Sequence, residues 1–366
     1  MDNREDIGQN GFQLLSKYRN ALMGIAALSI YFFHAWIPIT LEPQESSVFY
    51  LSFLEHFLKQ NGFLGVDIFF LLSGIGLTFS VEKVSLPMFY YRRLRRIILP
   101  FVTVGIIRGI VQNWGWSVII GNISGFNFYT KDVNSFLWFV PAILTFYLFF
   151  PAYYKLFTKS QNKILFTAGV IMIWLLLSTI VKDTMREDLF GFTNRIPVFV
   201  IGILIGYLIR NGKSATFTLH TYLLLFIMLF TGLYLSYLTE YEDFYLIVPI
   251  SNCFLPTLLI SISLSLLVSN LFKALEQRMP RFAKIILKVT GFFGMISLEF
   301  YCVQSWFIDI IPLLIEDGWS IHLINLMLFL IITALSWVVY VLFKNFWELT
   351  ERIAKKWKAK QNIKMQ

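Results

Sequence analysis

Long apolar stretches alternate with short polar segments along the whole chain. A hydrocarbon core of roughly 30 Å takes about 20 apolar residues of helix to cross. Ten stretches approach that length, near residues 21–40, 63–80, 97–113, 135–154, 164–181, 195–210, 219–238, 246–270, 290–313 and 321–343. The pattern predicts an all-α, polytopic membrane helix bundle of about ten transmembrane helices. There is neither a long soluble segment nor a tandem repeat, so 21–343 reads as one transmembrane domain. A segment 1–20 precedes it and a basic tail 344–366 follows. The first stretch does not read as a signal peptide, because no small-residue cleavage site follows it and nine more spans do.

Composition narrows the class further. Hydrophobic residues make up 57% of the chain and charged residues 14%, against about a quarter charged in soluble domains. Disorder, a secreted disulfide scaffold and an ordinary cytosolic enzyme are excluded. Cys253 and Cys302 lie in apolar runs and read as small buried hydrophobes rather than a disulfide or metal pair.

Charge sets the expected orientation. With the N-terminus inside, 25 of the 31 Lys and Arg fall in the inner segments. Five fall outside (Lys59, Lys131, Lys182, Arg186 and Arg195), and Arg108 lies within a span. Positive residues concentrate on the cytoplasmic side, so both termini are expected there and the number of spans is even. The tail residues Arg352, Lys355, Lys356, Lys358, Lys360 and Lys364 read as a face against anionic membrane lipid. No basic soluble domain exists to wrap nucleic acid.

An ionisable group inside a span is costly and marks a candidate site. His34, Asp67, Arg108, Glu299 and Asp309 meet that description, and Arg195 sits at a span mouth. His34 lies in the outer half of span one, where imidazole can act as a general base or hydrogen-bond between helices. Asp67 opens span two at a similar depth. It can fix the His34 tautomer or cap its own helix. Arg108 and Glu299, both mid-span, are expected to pair across helices, a structural role. No histidine pair has metal-ligand spacing, so no metal site is expected.

The segment Tyr91-Arg-Arg-Leu-Arg-Arg-Ile-Ile-Leu-Pro100 places Arg92, Arg93, Arg95 and Arg96 just before span three. In a helix, 92, 95 and 96 share a face, as do 93 and 96. Guanidinium forks bind phosphate bidentately. A soluble cytoplasmic anion with several phosphates suits this cluster; simple anchoring on headgroups explains the charge but not its density. Gly105/Gly109 and Gly202/Gly206 read as small-residue helix contacts. Gly74-Ile-Gly76 is no nucleotide fingerprint, for lack of a strand-turn-helix around it. Trp114, Trp116, Phe126, Phe128, Tyr129 and Phe136 fit an interfacial aromatic belt or a sugar platform.

Several of these segments, in order, resemble the acyltransferase-3 family of membrane-bound acyltransferases. They are Met23–His34, Gly65-Val-Asp-Ile-Phe-Phe-Leu-Leu-Ser-Gly74, Tyr91–Pro100, Leu137-Trp-Phe-Val-Pro, Tyr147-Leu-Phe-Phe-Pro151, Arg195–Gly202 and Ile296–Tyr301. The resemblance runs from about Tyr18 to Lys344. It implies transfer of an acyl group, usually acetyl, from cytoplasmic acetyl-CoA to a hydroxyl of an extracytoplasmic or surface glycan. It assigns catalysis to His34, with Asp67 in support, and the coenzyme A phosphates to the arginine motif, Arg92, Arg95 and Arg96, with Arg93 beside them. Polysaccharide-assembly proteins are then expected partners.

Two positions depart from the family pattern. A basic residue usually stands eleven positions before the histidine; here it is Met23. Arg19, one turn earlier and about 60° from His34 in helical projection, is the expected substitute. Gln304 stands where relatives often have histidine, which leaves that position without a carried-over role. A transporter or flippase for a glycan or small metabolite also suits ten spans and intramembrane charge, although no repeated halves or matching broken helices are visible. A membrane scaffold has little loop surface to dock on.

Overall fold

The computed structural model describes residues 11–38, 55, 57–130, 137–181, 187–213, 217–241 and 255–364. All regular structure among them is helical. In chain order the helices are α1 (Gln13–Lys17), α2 (Arg19–His34), α3 (Leu64–Thr78), α4 (Leu86–Val111), α5 (Trp116–Ile123) and α6 (Phe126–Thr130). There follow α7 (Phe139–Lys159), α8 (Lys163–Val181), α9 (Glu187–Thr193), α10 (Ile196–Arg210), α11 (Leu219–Tyr241) and α12 (Leu255–Arg278). The last are α13 (Pro280–Met295), α14 (Ser297–Gln304), α15 (Ile311–Glu316) and α16 (Ile321–Lys364).

Eight helical segments among the described residues are long and apolar enough to cross a membrane. They coincide with eight of the ten expected stretches, and the chain is a multi-pass membrane protein. The other two are helical over 21–34 and 97–111. However, α2 has only 16 residues, and α4 carries the arginine motif, Arg108 and an internal Pro100.

Hydrophobicity on all sides puts a helix in the middle of a bundle. This is the case for α3, in which every residue but Gly76 is buried. It packs against α2, α10 and α12, while α8 and α11 turn most of their surface outward. Two backbone crossings fix the centre. A β-carbon on Gly24 would overlap the Thr290 carbonyl, which sets α2 directly on α13. One on Gly202 would overlap the Leu71 carbonyl, which sets α10 directly on α3. Cys302 is buried and unoxidised on α14.

The segment 295–309 runs parallel to α4. Arg96 pairs with Glu299, the Trp306 indole N–H donates to the Val104 carbonyl at 3.0 Å, and Arg108 meets Asp309 at 3.2 Å. This register corrects the expected Arg108–Glu299 pair. Arg96 and Arg108 are twelve residues, or about 18 Å, apart along α4, and Glu299 stands level with the first. Arg108 keeps a structural ion pair, but with Asp309, and its guanidinium lies 5.5 Å over the Trp114 ring.

His56, Lys131, Phe136, Lys182, Arg186 and Cys253 lie outside the described residues.

Candidate functional site

Four helices converge where α2 and α4 begin. From α2 comes Arg19, whose Nε donates to the Leu72 carbonyl of α3 at 3.4 Å. Its guanidinium lies over Gly76, so close that a β-carbon there would sit 3.2 Å from Nη2. From α4 come Arg92, Arg93 and Arg96, from α3 comes Ser73, and from α7 comes Tyr147. These six line a cavity of about 440 Å³. Arg93 donates to the Ser80 hydroxyl and lies 5.3 Å over the Phe89 ring. Arg96 is held bidentately by the fully buried Glu299 and donates to the Met295 carbonyl at 3.1 Å. Guanidinium groups gathered around one polar space, three of them anchored by acceptors, are suited to an anion with several phosphates.

A second cavity of about 440 Å³ adjoins the first, sharing Arg19, Ser73, Arg96 and Tyr147 in its wall. Its lining is more apolar and includes Met23, Ile30, Phe69, Phe139 and Tyr301. Arg19, Met23 and Ile30 mark one face of α2. His34 stands one turn, about 6 Å, beyond Ile30 on nearly the same face. The two cavities thus run along α2 from the arginines toward the half-buried His34 at its C-terminus. The chain just past His34 is held by Asn325 of α16, whose amide accepts from the Ile37 N–H at 3.0 Å and donates to the Ile37 carbonyl at 2.7 Å.

Asp67 is fully buried on the first turn of α3. The N-cap of that helix is Phe63, so the capping reading fails. The ion pair given to Asp67 is with Arg195, at 3.7 Å. Arg195 is itself buried, donates to the Gly191 carbonyl and lies 5.4 Å over the Trp138 ring. Two buried charges of opposite sign hold each other here, and removing either leaves the other uncompensated.

Of the expected anion ligands, Arg19, Arg92, Arg93 and Arg96 come together and Arg95 does not. At 100° per residue, 92, 96 and 93 span one arc of α4 and Arg95 lies about 60° outside it. Arg95 turns to α16, pairs with Glu351 and stacks 5.7 Å over both Tyr91 and Trp347. Ser73 and Tyr147 escaped the sequence reading as site residues. Both stand inside motifs recognised there, and only the packing of α3 and α7 brings them to the arginines. Gln304 is fully buried on α14. Among the described residues no three His, Cys, Asp or Glu side chains cluster as a metal site.

A family model described as an acyltransferase domain matches residues 17–342. No curated protein and no solved structure matches the chain.

Proposed function

Since the chain belongs to the acyltransferase-3 family and is thereby a membrane acyltransferase, we propose that it moves an acetyl group from cytoplasmic acetyl-CoA to a hydroxyl of an extracytoplasmic or surface glycan. One observation carries this reading: the two adjoining cavities lead from the arginine cluster along α2 to within a turn of His34. A donor with phosphates at one end and a reactive thioester at the other has that shape. Arg19, Arg92, Arg93 and Arg96 hold the phosphates, and Arg19 supplies the charge absent at Met23. The pantetheine arm occupies the space lined by Met23, Ile30 and Tyr301.

At the far end, His34 takes the proton of the acceptor hydroxyl as general base. The alkoxide oxygen attacks the thioester carbonyl carbon. The C–S bond then breaks, and the departing thiolate takes up the proton from the imidazolium. The products are an acetyl ester and coenzyme A. Reach of the arm through the protein supports direct transfer and requires no covalent acyl-enzyme. Asp67 and Arg195 form a neutral buried pair that fixes the start of α3 against α10. Polysaccharide-assembly proteins are the natural partners, since they present the acceptor.

The test is the O-acetyl content of surface glycan in cells carrying His34→Ala. The proposal predicts its loss with the protein still present in the membrane. Undiminished O-acetylation by that variant contradicts it.

A further inference from the structure

A third cavity, of about 250 Å³, opens on the opposite side of Arg96. It lies between α4 and residues 340–351 of α16. Its walls are the Arg95 and Arg96 guanidinium groups, the rings of Tyr340, Phe343 and Trp347, and a rim of Lys344, Glu348 and Glu351. We infer that this cavity is the adenine subsite of the donor. The inference rests on the acyl-CoA reading above and adds where the nucleotide end goes.

Size and continuity support it. Whole-ligand pockets run to roughly 300–1,000 Å³, so this cavity holds one moiety and not a complete donor. It shares Arg96 with the arginine cavity, so a ligand whose phosphates meet Arg96 can pass its remaining group around that side chain.

Charge is nearly balanced around this cavity. Arg95 pairs with Glu351, Arg96 with Glu299 and Glu348 with Arg352, and Lys344 completes the rim. Nothing here gathers guanidinium groups around one polar space as the arginine cavity does, and an uncharged base is accommodated. The surfaces suit such a base. Arg95 and Trp347 already stack on each other at 5.7 Å, and Arg96 lies 5.6 Å over Tyr340. Aromatic rings and guanidinium planes are the platforms on which bases stack. The glutamate rim provides acceptors for the exocyclic amine of adenine.

The experiment compares two donors in the full-length protein, acetyl-CoA and acetyl-phosphopantetheine, which lacks the adenosine together with its 3′- and 5′-phosphates; the loss of phosphates affects wild type and variant alike. Stacking of one base on an aromatic side chain corresponds to about tenfold or more in binding. The ratio of kcat/KM for acetyl-CoA over acetyl-phosphopantetheine is therefore expected to fall about tenfold in Trp347→Ala and less in Trp347→Phe. A ratio equal to that of the wild type overturns the inference. A wild-type protein that uses neither donor overturns the acyl-CoA reading itself, and the subsite with it. Photolabelling of the wild-type chain with an azidoadenosine bisphosphate needs no variant. Label on residues 340–351 is expected, and label confined to other segments overturns the assignment.

Discussion

Arg96 faces two demands at once. Its guanidinium is the only partner that an ion pair gives the fully buried Glu299 among the described residues, and it also forms a wall of each of the three cavities described above. The roles separate on mutation. Arg96→Ala leaves a buried carboxylate unpaired, with an expected loss of about 2 kcal/mol, at the lower end for such pairs because Arg96 is half exposed. The double variant Arg96→Ala/Glu299→Gln is expected to recover much of the thermal midpoint in detergent while donor affinity stays low. Recovery of both would make Arg96 purely structural. Arg19 makes no ion pair with a carboxylate among the described residues and donates to the Leu72 carbonyl instead, so its replacement reads more simply. Arg19→Ala is expected to raise the KM for acetyl-CoA about tenfold or more, the scale of one charge-assisted contact to phosphate. Turnover at saturation changes little. An unchanged KM would remove Arg19 from the donor site and leave Met23 uncompensated.

At the level of helices, the close crossings decide where these side chains meet. Gly24 lets α2 lie against α13, and the cavity beside it is walled by Gly291 and Gly294 of α13 together with Met23. Gly24→Val forces the helices apart, with an expected cost of about 1–3 kcal/mol from overpacking, read as a lowered thermal midpoint. A midpoint equal to that of the wild type would mean that the crossing is wider than described. Much of this was legible beforehand. The spans follow from hydropathy, because a bilayer imposes length and apolarity on every crossing segment. Gly202 was recognisable from its spacing to Gly206. What stayed hidden was register between helices distant in sequence. Arg108 and Glu299 both looked mid-span, and nothing local says that α4 and 295–309 align 96 with 299 and 108 with 309. Arg95 shares a helical face with Arg92 and Arg96 in the sequence, but the arc that meets the cavity runs through 92, 96 and 93, and Arg95 lies on the side that meets α16.

For the whole molecule, the arrangement gives the bilayer a working direction. Arginines gather where α2 and α4 begin, and His34 stands about 22 Å along α2 from Arg19, at fifteen residues of helical rise. The proposal puts the arginine end in the cytoplasm, in line with the charge bias of the connecting segments. Single cysteines introduced at Ser16 and at Asn345 are then expected to react with an impermeant thiol reagent only after cells are opened. Labelling of either in intact cells would reverse or break the topology. The most direct test of the central claim follows labelled acetyl from acetyl-CoA in inverted membrane vesicles that hold the cell's own glycan. With wild-type protein the label is expected in the glycan fraction as an ester. With His34→Ala the rate is expected to fall by about 10²–10⁴, the share of a general base. Transfer by His34→Ala at the wild-type rate would contradict the account.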